Sequence, residues 1–440
     1  MPDPIEIVHA LYCGFFERGV RYFFPDAALI NGGSAAEAVP NLSFHSRTDG
    51  EVDLEWMGTH YHFHRFGRPF TLDQMRLLGA IGAVLSARYR SIFSAVSAAS
   101  TSELFEGLAE DRFVSAFLDH APYLAEELPV DRDVVANAIE VMRESSLLTY
   151  ENRRISSGVL LMGNGHDSFH GKPLLPSGAL PFTNALVSIK SLHRLCDGLY
   201  TAFLVNREGM LVDLVDMQAF AAAHGSATLP APSPARYLPH SLATLHGGHI
   251  CLVLTPNGEI KIFAEGVQVF NFLEGRWHLS DIPEKYRAFQ VAIGDEALAE
   301  RLFTVGLNLA ERRRGGLFVI LDRPEFASEL LSQQDMLDDD QPAESSKGQI
   351  HYLLRHKQVL EIESSVLESI ARVDGGIVID RAGNLLAFGA ILHNSGEYQM
   401  VQDGGRTTAA VHASQFGPVL KISEDGLVSF YRGGVRIWEI

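Results

Sequence analysis

Asp403 to Ser414 reads DGGRTTAAVHAS, a set of residue types suited to holding an anion. Gly404 and Gly405 let a backbone come close, Arg406 brings a guanidinium, and Thr407 and Thr408 bring hydroxyls; nests and helix N-termini hold phosphate with such donors. Taken alone, the same glycines mark a turn with positive φ that leads into a packed helix of small residues. Upstream, THYHFHRFG spaces His60, His62 and His64 two apart, so in a strand the three imidazoles leave one face, where they could bind Zn²⁺ or another divalent ion. No acidic or cysteine ligand is expected nearby in sequence, and a polar, partly exposed strand face is the expectation. His246 and His249 in HGGHI, and His166 and His170 in GNGHDSFHG, read as parts of glycine-rich turns. Arg312, Arg313 and Arg314 close a helical stretch, where cations face the negative end of the helix dipole. The GxxxxGK[ST], GxSxG and HExxH signatures are absent, and GNGHDS lacks the third glycine of GxGxxG, so the usual NTPase, hydrolase, zinc-protease and dinucleotide-binding motifs are missing.

The elements around DGGRTTAAVHAS must position it. A helix from about Glu296 to Arg312 carries Leu298, Leu302, Val305 and Leu309 in one stripe. The apolar run GGLFVIL after it predicts a strand buried on both faces. An acidic insert, SQQDMLDDDQPAESSKG, reads as a solvated loop, followed by a helical stretch at 350–370. Three strand-like pieces, GGIVIDRAGNLLAFGA, VLKISEDG and GLVSFYRGG, complete the region, and the alternation predicts a sheet with helices on its faces. Earlier, EG and NG turns break the β-rich runs LYTAFLVNREGMLVDLVDM and HICLVLTPNGEIKIFAEGVQVF into hairpins. SATLPAPSPARYLPH, with four prolines, reads as a loop or linker. Nearer the start, helices are predicted at Glu6–Arg18, Glu103–Leu118 and Val134–Arg143, with a strand-like alternation at Leu54–Phe66. Thr71 and Gln74 form a capping box that opens a helix over 72–96. The expected fold class is an α/β (α+β) multidomain protein: a helix-rich region at 1–150, an α+β region with β-hairpins at 151–290, and a mixed twisted sheet flanked by helices at 291–440.

In order and spacing, five C-terminal blocks resemble the diadenylate cyclase (DAC) domain family: LNLAERRRGGLFVIL, VDGGIVID, NLLAFGAIL, GGRTTAAVHAS and ISEDGLVSF. That family typically shows a basic cluster before GALIVIE, then HDGA, GTRHRAA and VSEETG. The resemblance covers roughly residues 295–440. It implies a mixed sheet between helices, one ATP per protomer, and two facing protomers in which each ribose 3′-hydroxyl attacks the other's α-phosphate, with Mg²⁺ or Mn²⁺. Carried over, Asp374 is the metal-binding carboxylate and Gly375 the following glycine, while Val373 stands where a metal-binding histidine is common. Gly404 and Arg406 match the GTRHR block, but Gly405, Thr407 and Thr408 replace its threonine, histidine and second arginine. Ser423 and Glu424 match the start of the SEE block, and Glu424 joins Asp374 as the second metal candidate. Loss of one charge-stabilising donor commonly costs an enzyme ~100-fold or more, so three exchanges argue against efficient cyclase chemistry. The expected function is a sensor of ATP or a cyclic dinucleotide; an active divergent cyclase and a non-catalytic scaffold are the alternatives, and a homo-oligomer is implied.

Composition sets the outer limits. The 440 residues are 46% hydrophobic and 20% charged, as in folded multidomain proteins. With 36 basic and 54 acidic residues, the formal charge of −18 disfavours DNA, RNA and anionic membranes as partners. The longest nearly apolar run, Leu77–Ala87, falls well short of the ~20 residues that span a bilayer. The start, MPDPIEIVHA, lacks the pattern of a secretory signal, and Cys13, Cys196 and Cys251 form no CxxC pair, so a cytoplasmic setting is expected.

Overall fold

A computed structural model describes residues 4–34, 40–48, 50–65, 69–93, 107–119, 133–163, 180–187, 195–223, 228–337, 346–393 and 404–440. His166 and His170, positions 94–96 and 103–106 of two predicted helices, 338–345 of the acidic insert and Asp403 lie outside the described residues. The chain is α+β and divides into two compact units: Met1–Thr228 with Pro239–Asp281, and Leu229–Leu238 with Ile282–Ile440.

In the first unit, helix α1 (Pro4–Phe23) buries Tyr12, Phe16 and Val20. A four-stranded antiparallel sheet follows: β1 (Ala28–Ser34), β2 (Leu42–Thr48), β3 (Glu51–Trp56) and β4 (Thr59–His64), in the order β1-β4-β3-β2. Val52, Leu54 and Trp56 of β3 and Tyr61 and Phe63 of β4 are buried. Phe16 of α1 stacks on Trp56 with ring centroids 5.5 Å apart. Alternation turns Glu51, Asp53 and Glu55, and with them His60, His62 and His64, to the opposite face. Only β3 and β4 carry a period-two signal; β1 (ALINGGS) and β2 (LSFHSRT) are edge strands that bury little, so nothing in their patterning betrays them.

Helix α2 (Leu72–Phe93) opens with the predicted capping box. Gln74 N donates to Thr71 Oγ1, and Thr71 N donates to Gln74 Oε1, each at 3.2 Å. Thr71→Ala removes one half of this reciprocal pair and is expected to cost about 1 kcal/mol, a fall of roughly 2–4 °C in the melting temperature by calorimetry. Helices α3 (Ala109–Asp119) and α4 (Val134–Ser146) are joined by a buried carboxylate. Asp133 caps α4 by accepting from Ala136 N at 2.9 Å, and it also accepts from Ser115 Oγ at 2.7 Å and Arg112 Nη1 at 3.2 Å. An eight-stranded sheet completes the unit; Ser157–Leu161 and Thr201–Val205 pair in parallel and its other neighbours are antiparallel. Its EG hairpins have positive φ at both turn residues, 53° and 82° at Glu265 and Gly266, and 52° and 82° at Glu274 and Gly275, the geometry of tight primed turns. HGGHI is a turn in which Gly247 and Gly248 have positive φ, and His249 is buried, accepting from Gly163 N at 3.1 Å.

The second unit holds helices α5 (Ile282–Ile293), α6 (Glu296–Glu311), α7 (Ser364–Ala371) and α8 (Gly405–Ala413), with strands β5 (Gly316–Leu321), β6 (Gly376–Asp380), β7 (Leu385–Ala390), β8 (Val419–Ile422), β9 (Val428–Arg432) and β10 (Val435–Glu439). The sheet order is β7-β6-β5-β8-β9-β10; β5 and β6 are parallel and every other pair antiparallel. β5, the GLFVIL run, is buried along its whole length, as its unbroken hydrophobicity predicts. Leu317, Val319 and Leu321 pack in one cluster with Ala410 and Ala413 of α8. On the other face α6 lies so close that a Cβ at Gly306 would stand 2.9 Å from Leu420 Cδ2. Asp295 caps α6, accepting from Leu298 N at 2.8 Å. The proline-rich segment Leu229–Leu238 belongs to this unit, and Ala235 N donates to Asn308 Oδ1 at 2.8 Å. Among the described residues, no helix is long and apolar enough to cross a membrane. Cys13, Cys196 and Cys251 are free and buried.

Candidate functional site

Three chain reversals of the second unit meet at one end of its sheet. The first closes α6. Arg313 N donates to Ala310 O and Arg314 N to Leu309 O, each at 2.9 Å, and Arg313 has φ +50°, so the helix ends in a Schellman motif with arginine in the position usually held by glycine. This tight reversal sends three consecutive arginines in different directions. Arg312 pairs with the buried carboxylate of Glu368, which also accepts from Asn308 Nδ2 at 2.8 Å. Arg313 donates to Asp425 O at 3.2 Å, and Arg314 reaches the cleft described below.

The second reversal joins α7 to β6. Arg372 caps α7, and Val373, Asp374 and Gly375 lead into the strand. Gly375 has φ +107°, and a Cβ there would lie 2.6 Å from Ala390 O and 2.6 Å from the carbonyl carbon of Gly389. Only glycine fits such an approach of two backbones. The third reversal leads into α8: Gly404, with φ +91°, occupies the cap position, and Gly405 and Arg406 form the first turn. The first N–H groups of any helix lack partners within it and carry the positive end of its dipole.

These reversals enclose a cleft of about 350 Å³ lined by Arg313, Arg314, Arg372 and Arg406, with Gly315, Ser369, Val373 and Glu424. Its volume is at the lower end of small-molecule sites. The Arg406 guanidinium lies over Gly315, where a Cβ would come 2.1 Å from Nη1. Arg406 donates to Glu424 Oε1 at 3.1 Å, and its Nη2 is 4.0 Å from Asp374 Oδ1. Four arginines line this corner, and of them Arg406 stands against the carboxylates of Glu424 and Asp374, a basic cluster in a chain whose net charge is −18.

No family of known proteins matches the chain, and no curated protein matches it. Solved structures do. A hypothetical membrane spanning protein from Bacillus cereus aligns at 22% identity and a TM-score of 0.23, over 32% of this chain and 61% of its own. A double mutant of DacA from Staphylococcus aureus aligns at 20% identity and a TM-score of 0.22, over 32% of this chain and 85% of its own. The chain thus spans less than two thirds of the first of these structures.

The residues singled out from the sequence fall into two groups. Arg406, Glu424 and Val373 line the cleft, and Asp374 stands at its edge with a fully exposed side chain. Gly375, Gly404 and Gly405 shape the backbone beside it. Thr407 instead is buried and its hydroxyl accepts from Lys421 Nζ at 2.9 Å, while the Thr408 hydroxyl turns back to Gly404 O at 3.4 Å. Ser423 donates through N and Oγ to Leu427 O, which closes the β8–β9 turn and holds Glu424 at its tip. No sequence motif marks Arg372, although it directly precedes VDGG, and helix capping is sufficient to explain Arg313 and Arg314 in the sequence. Asp374 and Glu424 both flank Arg406, and two carboxylates are the number with which Mg²⁺ is often held when substrate phosphates complete its shell.

A larger cleft, of about 810 Å³, lies in the first unit and includes Asp111, Glu140, Arg143, Glu144 and Phe272. Burial raises the pKa of Asp111 although Trp277 Nε1 donates to it at 2.7 Å and Arg143 Nη1 at 2.9 Å. Here Arg143 pairs with Asp111 and packs over Phe272 at 4.6 Å, while Glu140 and Glu144 accept from Asn184 Nδ2 at 3.0 and 3.1 Å. The two clefts thus differ in lining: charges of both signs in the larger one, chiefly arginine in the smaller.

Proposed function

We propose that residues 295–440 bind an adenine nucleotide or a cyclic dinucleotide by its phosphates at the arginine corner, as a sensor with little or no cyclase activity. The observation that supports this most is the convergence of Arg313, Arg314, Arg372 and Arg406 beside the N-terminus of α8. Guanidiniums bind phosphate with paired, charge-assisted hydrogen bonds, and the helix end adds backbone donors. The adenine class rests on the sequence resemblance to DAC domains. The low cyclase activity rests on Thr407 and Thr408, whose hydroxyls are engaged by Lys421 and by the α8 backbone. Mg²⁺ or Mn²⁺ would enter on the phosphates, with Asp374 and Glu424 supplying oxygens and the metal neutralising phosphate charge.

Calorimetric titration of the full chain with ATP and with c-di-AMP, with and without Mg²⁺, tests the proposal; saturable binding is expected, and none at millimolar ligand would overturn it. Absence of binding with an oligomeric state indifferent to nucleotide would favour the scaffold. The active-cyclase reading draws on the full exposure of the Asp374 carboxylate beside Arg406. It requires metal-dependent formation of a cyclic dinucleotide from ATP that Asp374→Asn abolishes. A folded protein that binds ATP yet forms no product with Mn²⁺ rules it out.

A further inference from the structure

The outward face of the β1–β4 sheet carries a ladder of acids and imidazoles. Glu51, Asp53 and Glu55 of β3 stand directly opposite His64, His62 and His60 of β4. Contrary to the expectation that no acidic ligand lies near these histidines, EVDLEW immediately upstream supplies three, and the hairpin register sets them opposite. At one end of the ladder β2 adds a second imidazole. Its pairing with β3 shifts between Phe44 and Ser46, so Ser46 faces Asp53 and His45 is the bulged residue. A bulge re-aims its side chain. Here it brings His45 Nε2 to 3.1 Å from Glu55 Oε2, while His60 Nδ1 approaches the same oxygen at 3.7 Å.

We propose that His45, Glu55 and His60 form a binding site for a borderline divalent transition metal, with Zn²⁺ as the type. Two imidazoles and one carboxylate are a ligand set that such ions take while leaving positions open to water or a further ligand. The donor atoms all lie within 4.8 Å of one another. Ligands about 2.0–2.1 Å from a tetrahedral ion stand roughly 3.4 Å apart, and the separations of 3.1 and 3.7 Å bracket that value. The rest of the ladder is arranged differently. His62 Nδ1 is already 2.7 Å from Asp53 Oδ1, and Ser46 Oγ also donates to Asp53, two bonds that hold its carboxyl below the usual range. Asp53 is thus met by one imidazole and one hydroxyl, whereas Glu55 has two imidazole nitrogens of different strands grouped around one oxygen, the His45 one within hydrogen-bond distance. The proposal is independent of the nucleotide reading, since all three ligands lie in the first unit.

The test is titration of the chelator-stripped full chain with Zn²⁺ by calorimetry and with Co²⁺ by visible absorption. One ion per chain is expected, with a Co²⁺ ligand-field band. His45→Gln combined with His60→Gln should weaken binding beyond the ~10–100-fold that even an outer-sphere partner is worth. His62→Gln combined with His64→Gln, on the same face, should leave both readouts near the parent's. All four positions are on the outward face, and far-UV circular dichroism checks that each variant is folded. Absence of stoichiometric binding, or binding that survives loss of His45 and His60, overturns the site. Equal loss in the two double variants would spread the ion over the whole ladder and overturn the three-ligand assignment.

Discussion

Arg406→Ala is expected to weaken binding of the phosphate ligand by about 10- to 100-fold while barely moving the melting temperature. Hydrogen bonds to charged groups contribute about 1.5–3 kcal/mol each, and every 1.4 kcal/mol is tenfold in affinity. The stability side of the balance is small. Arg406 is partly exposed, its partner Glu424 is 72% exposed, and Asp374 is fully exposed at 4.0 Å, so these pairs fall in the class worth about 0–1 kcal/mol. Binding and stability should therefore separate, which a general loss of fold could not produce. Two further variants sharpen the test. Arg406→Lys keeps the charge but loses the planar fork, so its loss should be intermediate. Gly315→Ala keeps the arginine and places a methyl group where Nη1 now lies, 2.1 Å from the ideal Cβ. The clash is with the far end of a flexible side chain, so the fold should tolerate it while the guanidinium is driven off its seat. Calorimetry with ATP or c-di-AMP on all three variants, with Arg436→Ala as a surface control, decides the matter. Unchanged affinity in Arg406→Ala would remove Arg406 from the site.

The sequence was legible where one local rule governed one element. Thr71 and Gln74 announced the start of α2, GLFVIL announced a strand buried on both faces, and the stripe Leu298, Leu302, Val305 and Leu309 announced α6. It was opaque where position depends on pairing between strands. β1 and β2 bury too little to leave a periodic trace, so their sheet was visible only through β3 and β4. The same gap hid the partners of the histidines. The alternating acids of EVDLEW carry the signal, but they become ligands only once the hairpin register sets Glu55 against His60 and a bulge delivers His45. The arginine corner shows a related limit. A basic cluster at a helix end is explained by the dipole alone, and nothing local says that Arg313 adopts a left-handed conformation or that Arg372, fifty-eight positions beyond Arg314, faces the same cleft. Convergence of like charges is a property of topology, here of two helix C-termini and one N-terminus meeting near the N-terminal ends of β5 and β6.

The glycines offer a sharper test of that topology. Gly375→Ala is expected to destabilise the second unit by about 2–5 kcal/mol, because a left-handed backbone disfavours a side chain by about 1–2 kcal/mol and overpacking adds about 1–3. The overlap cannot relax by rotating a side chain, since the atoms 2.6 Å away, Ala390 O and the Gly389 carbonyl carbon, are the backbone of β7. Either β7 shifts or the loop 373–375 does, and the loop carries Val373 and Asp374 beside Arg372. Nucleotide affinity should fall together with a loss of roughly 5–15 °C in melting temperature for a unit of this size. Gly404→Ala is the matched control. Its φ of +91° is also positive, with ψ 161°, a region essentially reserved for glycine, yet among the described residues nothing lies within 4 Å of its Cβ position, so the backbone cost of about 1–3 kcal/mol applies without a steric one. Both variants thus carry a positive-φ penalty, and only Gly375→Ala adds a steric one among the described residues. If thermal denaturation shows equal losses for both, the close seating of the 373–375 loop on β7 does not hold in solution, and the edge of the arginine cleft is not built as described. If Gly375→Ala costs several degrees more than Gly404→Ala and also loses nucleotide, the position of Asp374 is fixed by backbone packing, since its own exposed side chain contributes little to holding it in place.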